Sequence, residues 1–291
     1  MQTQEQLAEA FQEHRDHLRS VGYRMLGSMA EADDAVQEAW LRLARTDTSD
    51  VLNLRGWLTT VMSRICLDLL RSRKSRREDS LEVHVPDPVV TRLDHDPEAA
   101  AEQADEVTLA LLVVLDALNP RERMAFVLHD MFGVPFDAIG EILETTPNTA
   151  TQLASRARRR VRATPPPVAD LTKQRRVLEA FRSAAELGDF DALVAVLDPD
   201  VTLRADAGPG GASTVIRGAA AVASQAAAFR RSGHEEEQIP VLVNGAVGML
   251  ALKDGRLMSV FSPVIRGGRI VEINIVADPA RLSGIDPAEY R

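Results

Sequence analysis

The spacing of the apolar residues changes once along this chain of 291 residues, and the change limits the folds that the chain can adopt. Before the three prolines at 165–167, apolar residues recur at helical spacing, and from about Val201 they alternate as in β-strands. Three turn signals, Asn244-Gly245, Asp254-Gly255 and Gly267-Gly268, separate the strand-like segments. The pattern predicts a multidomain protein, all-α at first, that ends in an α+β domain whose helices precede an antiparallel meander.

The first 77 residues are predicted to form a bundle of helices. Each helix has one apolar face, and the faces consist of Phe11, Leu18, Val21 and Met25; Ala35, Val36, Ala39, Trp40 and Leu43; and Leu58, Met62, Ile65 and Leu69. The last helix ends in a basic cluster made of Arg71, Arg73, Lys74, Arg76 and Arg77. Taken alone, this cluster is as typical of a solvated helix end as of a DNA contact.

A second basic cluster ends the next helical block, residues 107–163, with five arginines within residues 156–162 and no acid among them. A short helix, a tight turn and a longer helix capped by Thr146 and Pro147 precede the cluster, which is the helix-turn-helix pattern. In that motif the second helix enters the major groove and its N-terminal residues meet base edges. Those residues would be Asn148, Thr149, Gln152 and Arg156, with the later arginines Arg158, Arg159 and Arg160 on phosphates.

A segment of opposite charge joins the two blocks. The chain has a net charge of −9, and residues 78–106 hold ten acids and one arginine. The segment is rich in Pro and Asp and weakly periodic, so it is predicted to be a flexible or extended linker. A shorter Pro-rich linker, residues 164–170, precedes the α+β domain of residues 171–291. Two basic helix ends with an acidic tether between them suggest one protein that touches DNA at two separated places.

Several classes of protein are disfavoured. One cysteine, Cys66, cannot form an internal disulfide, so a cytoplasmic location is expected. The most apolar run, residues 108–118, includes Asp116 and is shorter than the roughly 20 residues of a membrane span, so no membrane contact is expected. We see no metal or nucleotide motif, and no cofactor is expected.

The front of the chain resembles the extracytoplasmic-function (ECF) sigma factors of bacterial RNA polymerase. The resemblance covers residues 11 to 162 and rests on three motifs that occur in the family's order. They are YRMLGSMAEADDAVQEAWLRL, GWLTTVMSRICLDLLRSRKSRRE and LNPRERMAFVLHDMFGVPFDAIGEILETTPNTATQLASRARRRV. It implies that residues 1–77 bind core polymerase and open the −10 element, that residues 107–163 read the −35 element, and that the polymerase contacts are the β′ clamp helices and the β flap.

The resemblance also assigns roles to single residues. The clamp helices would be bound by Asp34, Gln37 and Glu38, although on spacing alone these residues are ordinary surface groups of an amphipathic helix. The −10 element would be met by Trp57, Arg64, Asp68, Arg71, Arg73, Lys74, Arg76 and Arg77. The −35 element would be met by the helix-turn-helix residues named above.

The final domain resembles the cone-shaped SnoaL-like (NTF2-like) domain that is fused to one subgroup of these factors. DAGPGG at 206–211 stands for the subgroup's Asp-Gly-Gly-Gly type loop and ADPARL at 277–282 for its Asn-Pro-Asp-Lys-Leu type motif, while TPPPVAD replaces a Trp-Leu-Pro-Glu-Pro linker motif. The resemblance implies that this domain controls the sigma factor. Its expected regulatory contacts are Asp206, Gly208, Gly210, Gly211, Asp278, Pro279 and Leu282.

Two other functions stay open at the level of sequence. The cone domain could bind a small ligand or be an enzyme with Asp206 or Glu272 as its acid or base, although no acid–base pair is evident from the spacing and we predict no catalysis. Alternatively, the chain could be a helix-turn-helix regulator that never meets polymerase, but such a protein has no need of the first block.

Overall fold

The computed structural model describes residues 4–46, 51–76, 84–93, 109–163, 170–208, 211–231 and 237–291. The chain divides into two compact units. One contains residues 1–79 and 112–164, and the other contains residues 80–111 and 165–291. None of the helices that the structure describes combines the length and the apolar character of a membrane span.

Three helices begin the first unit: α1 (Gln4–Leu26), α2 (Met29–Leu43) and α3 (Leu54–Arg76). Ser28 caps α2 by accepting a hydrogen bond from the Glu31 N–H. The predicted apolar faces are confirmed, since Leu18, Met25, Leu58 and Met62 are fully buried. Towards the end of α3 the buried face turns, so that Cys66 and Leu70 are buried and Leu69 is only half-buried.

The first unit continues with a second set of helices: α4 (Leu109–Asp116), α5 (Pro120–Phe126), one π-helical turn (Val127–Met131), α6 (Phe136–Ile142) and α7 (Pro147–Ala163). The predicted break at Asn119-Pro120 is confirmed, because Asn119 caps α5 and Pro120 is its first residue. Gly133, with a φ of +67°, ends the π-helical turn.

The second unit has three helices, α8 (Leu171–Leu187), α9 (Phe190–Val196) and α10 (Ala219–Arg231), and a seven-stranded sheet. The strands are β1 (Val90–Arg92), β2 (Leu197–Asp206), β3 (Thr214–Arg217), β4 (Glu237–Val243), β5 (Ala246–Lys253), β6 (Arg256–Arg266) and β7 (Arg269–Val276), in the order β1-β4-β5-β6-β7-β2-β3. A short helix α11 (Pro279–Leu282) and a 3₁₀ turn (Pro287–Tyr290) end the chain.

The meander from β4 to β7 is antiparallel, and its turns fall at the three predicted dipeptides. Both residues of each turn have positive φ, which is the geometry of tight type I′ hairpins. β2 pairs in parallel with β7, so the sheet is mixed, which the sequence pattern did not indicate. The first strand, β1, comes from the segment predicted to be a linker and pairs antiparallel with β4.

The two faces of this sheet have different partners. Leu203 and Ile273 are paired across β2 and β7 and belong to the apolar cluster formed with α8, α9 and α10. The next pair, Arg204 and Asn274, must point to the opposite face, because side chains alternate along a strand. The inner face is thus apolar and the outer face is partly polar.

We expect Gly22→Ala to lower the free energy of unfolding of the first unit by about 1–2 kcal/mol, because overpacking costs about 1–3 kcal/mol and the better helix propensity of alanine recovers up to about 1 kcal/mol. A Cβ atom at Gly22 would lie 2.4 Å from the Met62 side chain and 3.2 Å from the Cα of Ala32, where α1, α2 and α3 meet. Urea unfolding measures the change. Gly284→Ala, where a Cβ meets nothing within 4 Å, is the control, and equal effects of the two changes would contradict the close packing.

Candidate nucleic-acid interface and regulatory contacts

The second helix of the helix-turn-helix, α7, presents a polar stripe. Thr146 caps the helix by accepting from the Thr149 N–H at 3.2 Å, while Ala150, Ala154 and Ala157 face the core. On the opposite side, exposed side chains recur at helical spacing; they are Asn148, Gln152, Arg156 and Arg159. The stripe combines amide donors and acceptors with guanidinium groups, the chemistry that reads base edges and neutralises phosphates.

The arginines of α7 do not all have the same surroundings. Arg158 Nε lies 2.6 Å from Asp130 Oδ1, and Arg160 Nη1 lies 3.2 Å from Glu122 Oε2. Both acids belong to the preceding helical elements, so these two arginines tie α7 to its own domain. Arg156 and Arg159 point outward.

A second exposed stripe lies on α3, where Arg64, Asp68 and Arg71 follow one another at helical spacing. Trp57 is half-buried on the first turn of the same helix. Arg73 lies on another side, where it donates to the Leu26 carbonyl at 2.8 Å and pairs with Glu31. Arg73 thus stabilises the bundle, and the side chains of Lys74, Arg76 and Arg77 lie outside the described residues.

A groove of about 400 Å³ lies between α1 and α2. Its apolar floor includes Phe11 and Trp40, whose ring centroids are 5.2 Å apart, and its polar rim includes Asp34 and Gln37. Glu38 is paired with Arg42 at 2.9 Å. Arg15 also lines the groove, so the rim is polar with both signs of charge, and an apolar floor with such a rim suits a helix that presents aliphatic and polar side chains.

His17 lies where α1 meets α3. Its Nε2 is 3.0 Å from the Thr59 hydroxyl and its Nδ1 is 3.2 Å from the guanidinium of Arg55. Burial lowers the pKa of His17, and the charges of Arg55, His14 and Arg24 lower it further. The ring is therefore held in its neutral form.

In the second unit, a cluster that we call the linker clasp joins the segment 84–93 to the last domain. It consists of His84, Asp87, Asp206 and Arg281. Arg281 pairs with Asp206 at 2.8 Å, with Asp87, and with the Val85 carbonyl. Asp206 also accepts from the Val85 N–H at 3.1 Å and lies 3.5 Å from His84 Nδ1.

The carboxylate of Asp206 is held in its ionised form. Burial by itself would raise its pKa, but hydrogen bonds from His84 and from the N–H groups of Val85 and Gly208, together with the charge of Arg281, hold the pKa well below its usual range. Asp206 is 8% exposed and Asp87 is 7% exposed. The clasp is thus a largely buried contact in which an ionised Asp206 lies beside the guanidinium of Arg281.

The two sequence motifs of the last domain meet at this clasp. A Cβ atom at Gly208 would lie 2.3 Å from Asp278 Oδ2, so the loop and the start of α11 approach as closely as a glycine allows. Asp278 caps α11, and Leu282 is buried. Among the other expected contacts, Pro279 and Gly211 are exposed and Gly210 lies outside the described residues.

Backbone contacts extend the docking of the segment along the sheet. The strand β1 pairs with β4 along Val90, Thr91 and Arg92. Just before it, the Val89 N–H donates to Asn244 Oδ1 at 3.1 Å, and Tyr290 Oη donates to the Val90 carbonyl at 3.2 Å. Sequence reasoning missed this docking because it assessed residues 78–106 by their average composition. The alternation of valines with Pro and Asp from Val83 to Val90 was the available signal.

Both acids considered for catalysis lie on the outer face of the sheet. Asp206 belongs to the clasp, and Glu272 pairs with Arg204 at 2.9 Å and accepts from Asn274. On the inner side of the sheet, Phe261 of β6 stacks on Phe181 of α8, with ring centroids 5.8 Å apart. Neither acid faces the interior, where a substrate of such a cone would bind.

Known families match the helical part of the chain in two places. Residues 10–76 match Sigma-70 region 2, and residues 108–161 match Sigma-70, region 4. The two helical regions, each with an exposed stripe on its last helix, therefore define a transcription initiation factor of the sigma-70 type.

Similar proteins define the family more narrowly. The chain is 35% identical to the probable ECF RNA polymerase sigma factor SigI of Mycobacterium tuberculosis, with 97% of each chain covered. It is 46% identical to the ECF RNA polymerase sigma factor SigJ of the same species over 71% of this chain and 67% of that one. The crystal structure of that SigJ is similar along 95% of this chain and 98% of that one, with a TM-score of 0.71 and 35% identity.

The chain belongs to the ECF RNA polymerase sigma factors, and as a sigma factor it binds RNA polymerase and promoter DNA and directs transcription initiation. The predicted order of two sigma regions followed by a SnoaL-like α+β domain is confirmed.

We expect His17 to make the stability of the first unit pH-dependent. The folded state binds the proton of His17 less readily than the unfolded chain, whose histidine titrates near 6.5, so stability falls as the pH drops below that value. His17→Gln keeps a donor and an acceptor without the titration. Urea unfolding of the wild type and of the variant gives the free energy of unfolding at pH 7.5 and at pH 5.5. We expect this free energy to fall less between the two pH values in the variant than in the wild type, and an equal fall in both would contradict the role given to His17.

Proposed function

We propose that this sigma factor recognises its promoter through the two exposed stripes and that its last domain restrains it through the linker clasp. Asn148, Thr149, Gln152 and Arg156 read the −35 element, and Arg159 contacts a phosphate. Arg64, Asp68 and Arg71 face the −10 element, with Trp57 beside them. The supporting observation is exposure at helical spacing, on α7 for Asn148, Gln152, Arg156 and Arg159 and on α3 for Arg64, Asp68 and Arg71, whereas Thr149 and Trp57 beside them are half-buried.

We propose further that the β′ clamp helices of polymerase occupy the groove between α1 and α2. The apolar floor receives aliphatic side chains, and Asp34 and Gln37 bind basic or amide groups at the rim. Glu38, which pairs with Arg42 at 2.9 Å on the surface of α2, adds a further contact to the clamp helices. The β flap remains the expected partner of region 4.

The last domain acts in this proposal as a regulator without catalysis. The clasp holds the segment that links regions 2 and 4, and a docked linker restricts how far those regions can separate. The single observation that carries the proposal is Arg281, whose guanidinium pairs with one acid of the linker and one acid of the DAGPGG loop. A small ligand of the cone stays a prediction from resemblance alone.

We expect Arg159→Ala to reduce the salt dependence of promoter binding. The slope of log K against log salt should decrease in magnitude by about 1, because one phosphate contact is lost. Arg158→Ala is the matched control, because Asp130 already neutralises Arg158 in the free protein. Binding of a −35 fragment by the holoenzyme, measured over a series of salt concentrations, gives both slopes. An unchanged slope for Arg159→Ala would refute its phosphate contact.

We expect Arg281→Met to raise the yield of promoter-specific transcription about fivefold or more. A fivefold change is at the low end of the range that is typical for coupling between regulatory sites. The change removes the cation that lies between the carboxylates of Asp87 and Asp206, so these repel each other and the linker is released. Arg291→Met is the control, because its pair with Glu237 at 2.7 Å lies exposed in the same domain. In vitro transcription with core polymerase measures the effect, alongside a chain that ends at residue 169. Equal yields from the two arginine variants, or a loss with Arg281→Met, would overturn restraint by the clasp.

A further inference from the structure

Two arginines flank the turn between β6 and β7. Arg266 is the last residue of β6 and Arg269 is the first residue of β7, and the two are paired across the hairpin. Like charges in directly opposite positions repel each other and destabilise such a pair. Among the residues that the structure describes, neither arginine forms an ion pair, and neither do Asp198 and Asp200 near the start of the neighbouring β2. The described part of the chain therefore leaves two adjacent positive charges without a counter-charge.

Arg266 also has hydrogen-bonding capacity that the described residues do not use. Its side chain is half-buried, and its Nε atom is buried with no hydrogen-bond partner among them. Most buried donors in folded proteins have a partner, because an unsatisfied donor is costly. A guanidinium binds carboxylate or phosphate through two parallel N–H donors. An anion towards which Arg266 turns would therefore satisfy this donor and neutralise the charge.

Both side chains lie on the outer face of the sheet. Ile265 and Ile270 belong to the inner apolar cluster. Because side chains alternate along a strand, the neighbouring Arg266 and Arg269 point to the opposite face. The turn Gly267-Gly268 has open space around it, since a Cβ atom at either glycine would meet nothing within 4 Å. The tip of the hairpin is therefore accessible to a large partner.

Two further arginines lie on this outer face. Arg204 of β2 points outward, and Arg217 of β3 shares that face because it is paired with Thr202, two residues before Arg204. We call the four residues the arginine patch; they are Arg204, Arg217, Arg266 and Arg269. They come from four adjacent strands, β6-β7-β2-β3, which span about 15 Å at roughly 4.8 Å per strand. Glu272 pairs with Arg204 at 2.9 Å, so the patch keeps a positive charge.

The width and the chemistry of the patch fit the backbone of duplex DNA. Phosphates along one strand follow one another at about 3.4 Å in the direction of the helix axis, so a width of about 15 Å faces about four of them. Arginine is well suited to phosphate, because its planar group donates two hydrogen bonds to one oxyanion. As a sigma factor the chain binds promoter DNA, so this polyanion is present in its working complex.

We propose that the arginine patch binds the phosphate backbone of promoter DNA and is a third DNA contact of this sigma factor, on its last domain. The contact carries no sequence preference, because it reads phosphates and no base edges. It goes beyond the proposed function, which places DNA only on α3 and α7. The linker clasp can stay closed, because Asp206 is the last residue of β2, whereas the hairpin lies beside Leu197, the first residue of β2. The two sites are at opposite ends of the sheet.

The double variant Arg266→Gln/Arg269→Gln in the full-length chain tests the contact. We expect the slope of log K against log salt for binding of a promoter duplex by the holoenzyme to decrease in magnitude by about 2, because two phosphate contacts are lost. The variant should unfold at a urea concentration no lower than the wild type, because the repulsion between the two arginines disappears with their charges. Weaker DNA binding would then not come from a loss of folded protein.

Lys253→Gln/Arg256→Gln is the matched control. Lys253 and Arg256 are paired in the same way across the turn between β5 and β6, at the opposite end of β6. Asp254 lies between them in the turn and supplies a negative charge. Removing these two positive charges should leave the slope unchanged.

A slope that is the same in Arg266→Gln/Arg269→Gln and in the wild type, or an equal decrease in the control, would refute the DNA contact. If Arg266→Gln/Arg269→Gln leaves the slope unchanged but weakens binding of core polymerase, the patch binds an acidic protein surface and the DNA assignment is overturned. A wild-type holoenzyme that does not bind the promoter duplex would instead overturn the assignment of the stripes on α3 and α7. Binding of a random duplex by the free full-length chain at low salt would then decide the patch, since we expect Arg266→Gln/Arg269→Gln, and not the control, to bind it more weakly than the wild type.

Discussion

The guanidinium of Arg281 lies between two carboxylates that are distant in sequence, Asp87 of the linker and Asp206 of the DAGPGG loop. Removing two acids from water is costly, and their mutual repulsion would expel the linker without a cation between them. Arg281 therefore bridges the acids of residues 84–93 and of the last domain that would otherwise repel each other. The strand β1, the Val89–Asn244 hydrogen bond and the Tyr290 contact all depend on the linker being docked there.

A buried ionic contact is suited to specifying position rather than to adding stability. Apolar contacts at the same place would tolerate several positions of the linker. The carboxylate of Asp206 instead accepts hydrogen bonds from fixed directions, from donors on Val85, Gly208 and Arg281. The close approach of Gly208 to Asp278 fixes the loop on one side and α11 on the other. The clasp therefore sets one register for the linker on the sheet.

Periodicity and turn chemistry were sufficient to predict most of the fold, because they are local. The helical faces around Leu18 and Met62, the cap at Thr146 and the hairpin at Asn244-Gly245 are each set by a few neighbouring residues. The parallel pairing of β2 with β7 and the docking of β1 on β4 join residues that are far apart in sequence, and a single sequence contains no local signal for such pairs. The features of the candidate surfaces also divide into those that local sequence predicts and those that only packing reveals. The stripe on α7 follows from helical spacing, whereas the internal ion pairs of Arg158 and Arg73 are visible only once the helices pack.

The same residue type thus serves three purposes in this acidic chain. Arg156 and Arg159 remain exposed, where nucleic-acid phosphates can neutralise them. Arg158, Arg160 and Arg73 are already neutralised by acids of their own domains and fix the helices that carry the exposed stripes. Arg123, which is buried, and Arg281, which is partly buried, hold together segments distant in sequence, and both bind main-chain carbonyls as well as carboxylates. A main-chain carbonyl can accept a hydrogen bond from water as well as from a guanidinium, so such contacts form and break with a small net change in free energy.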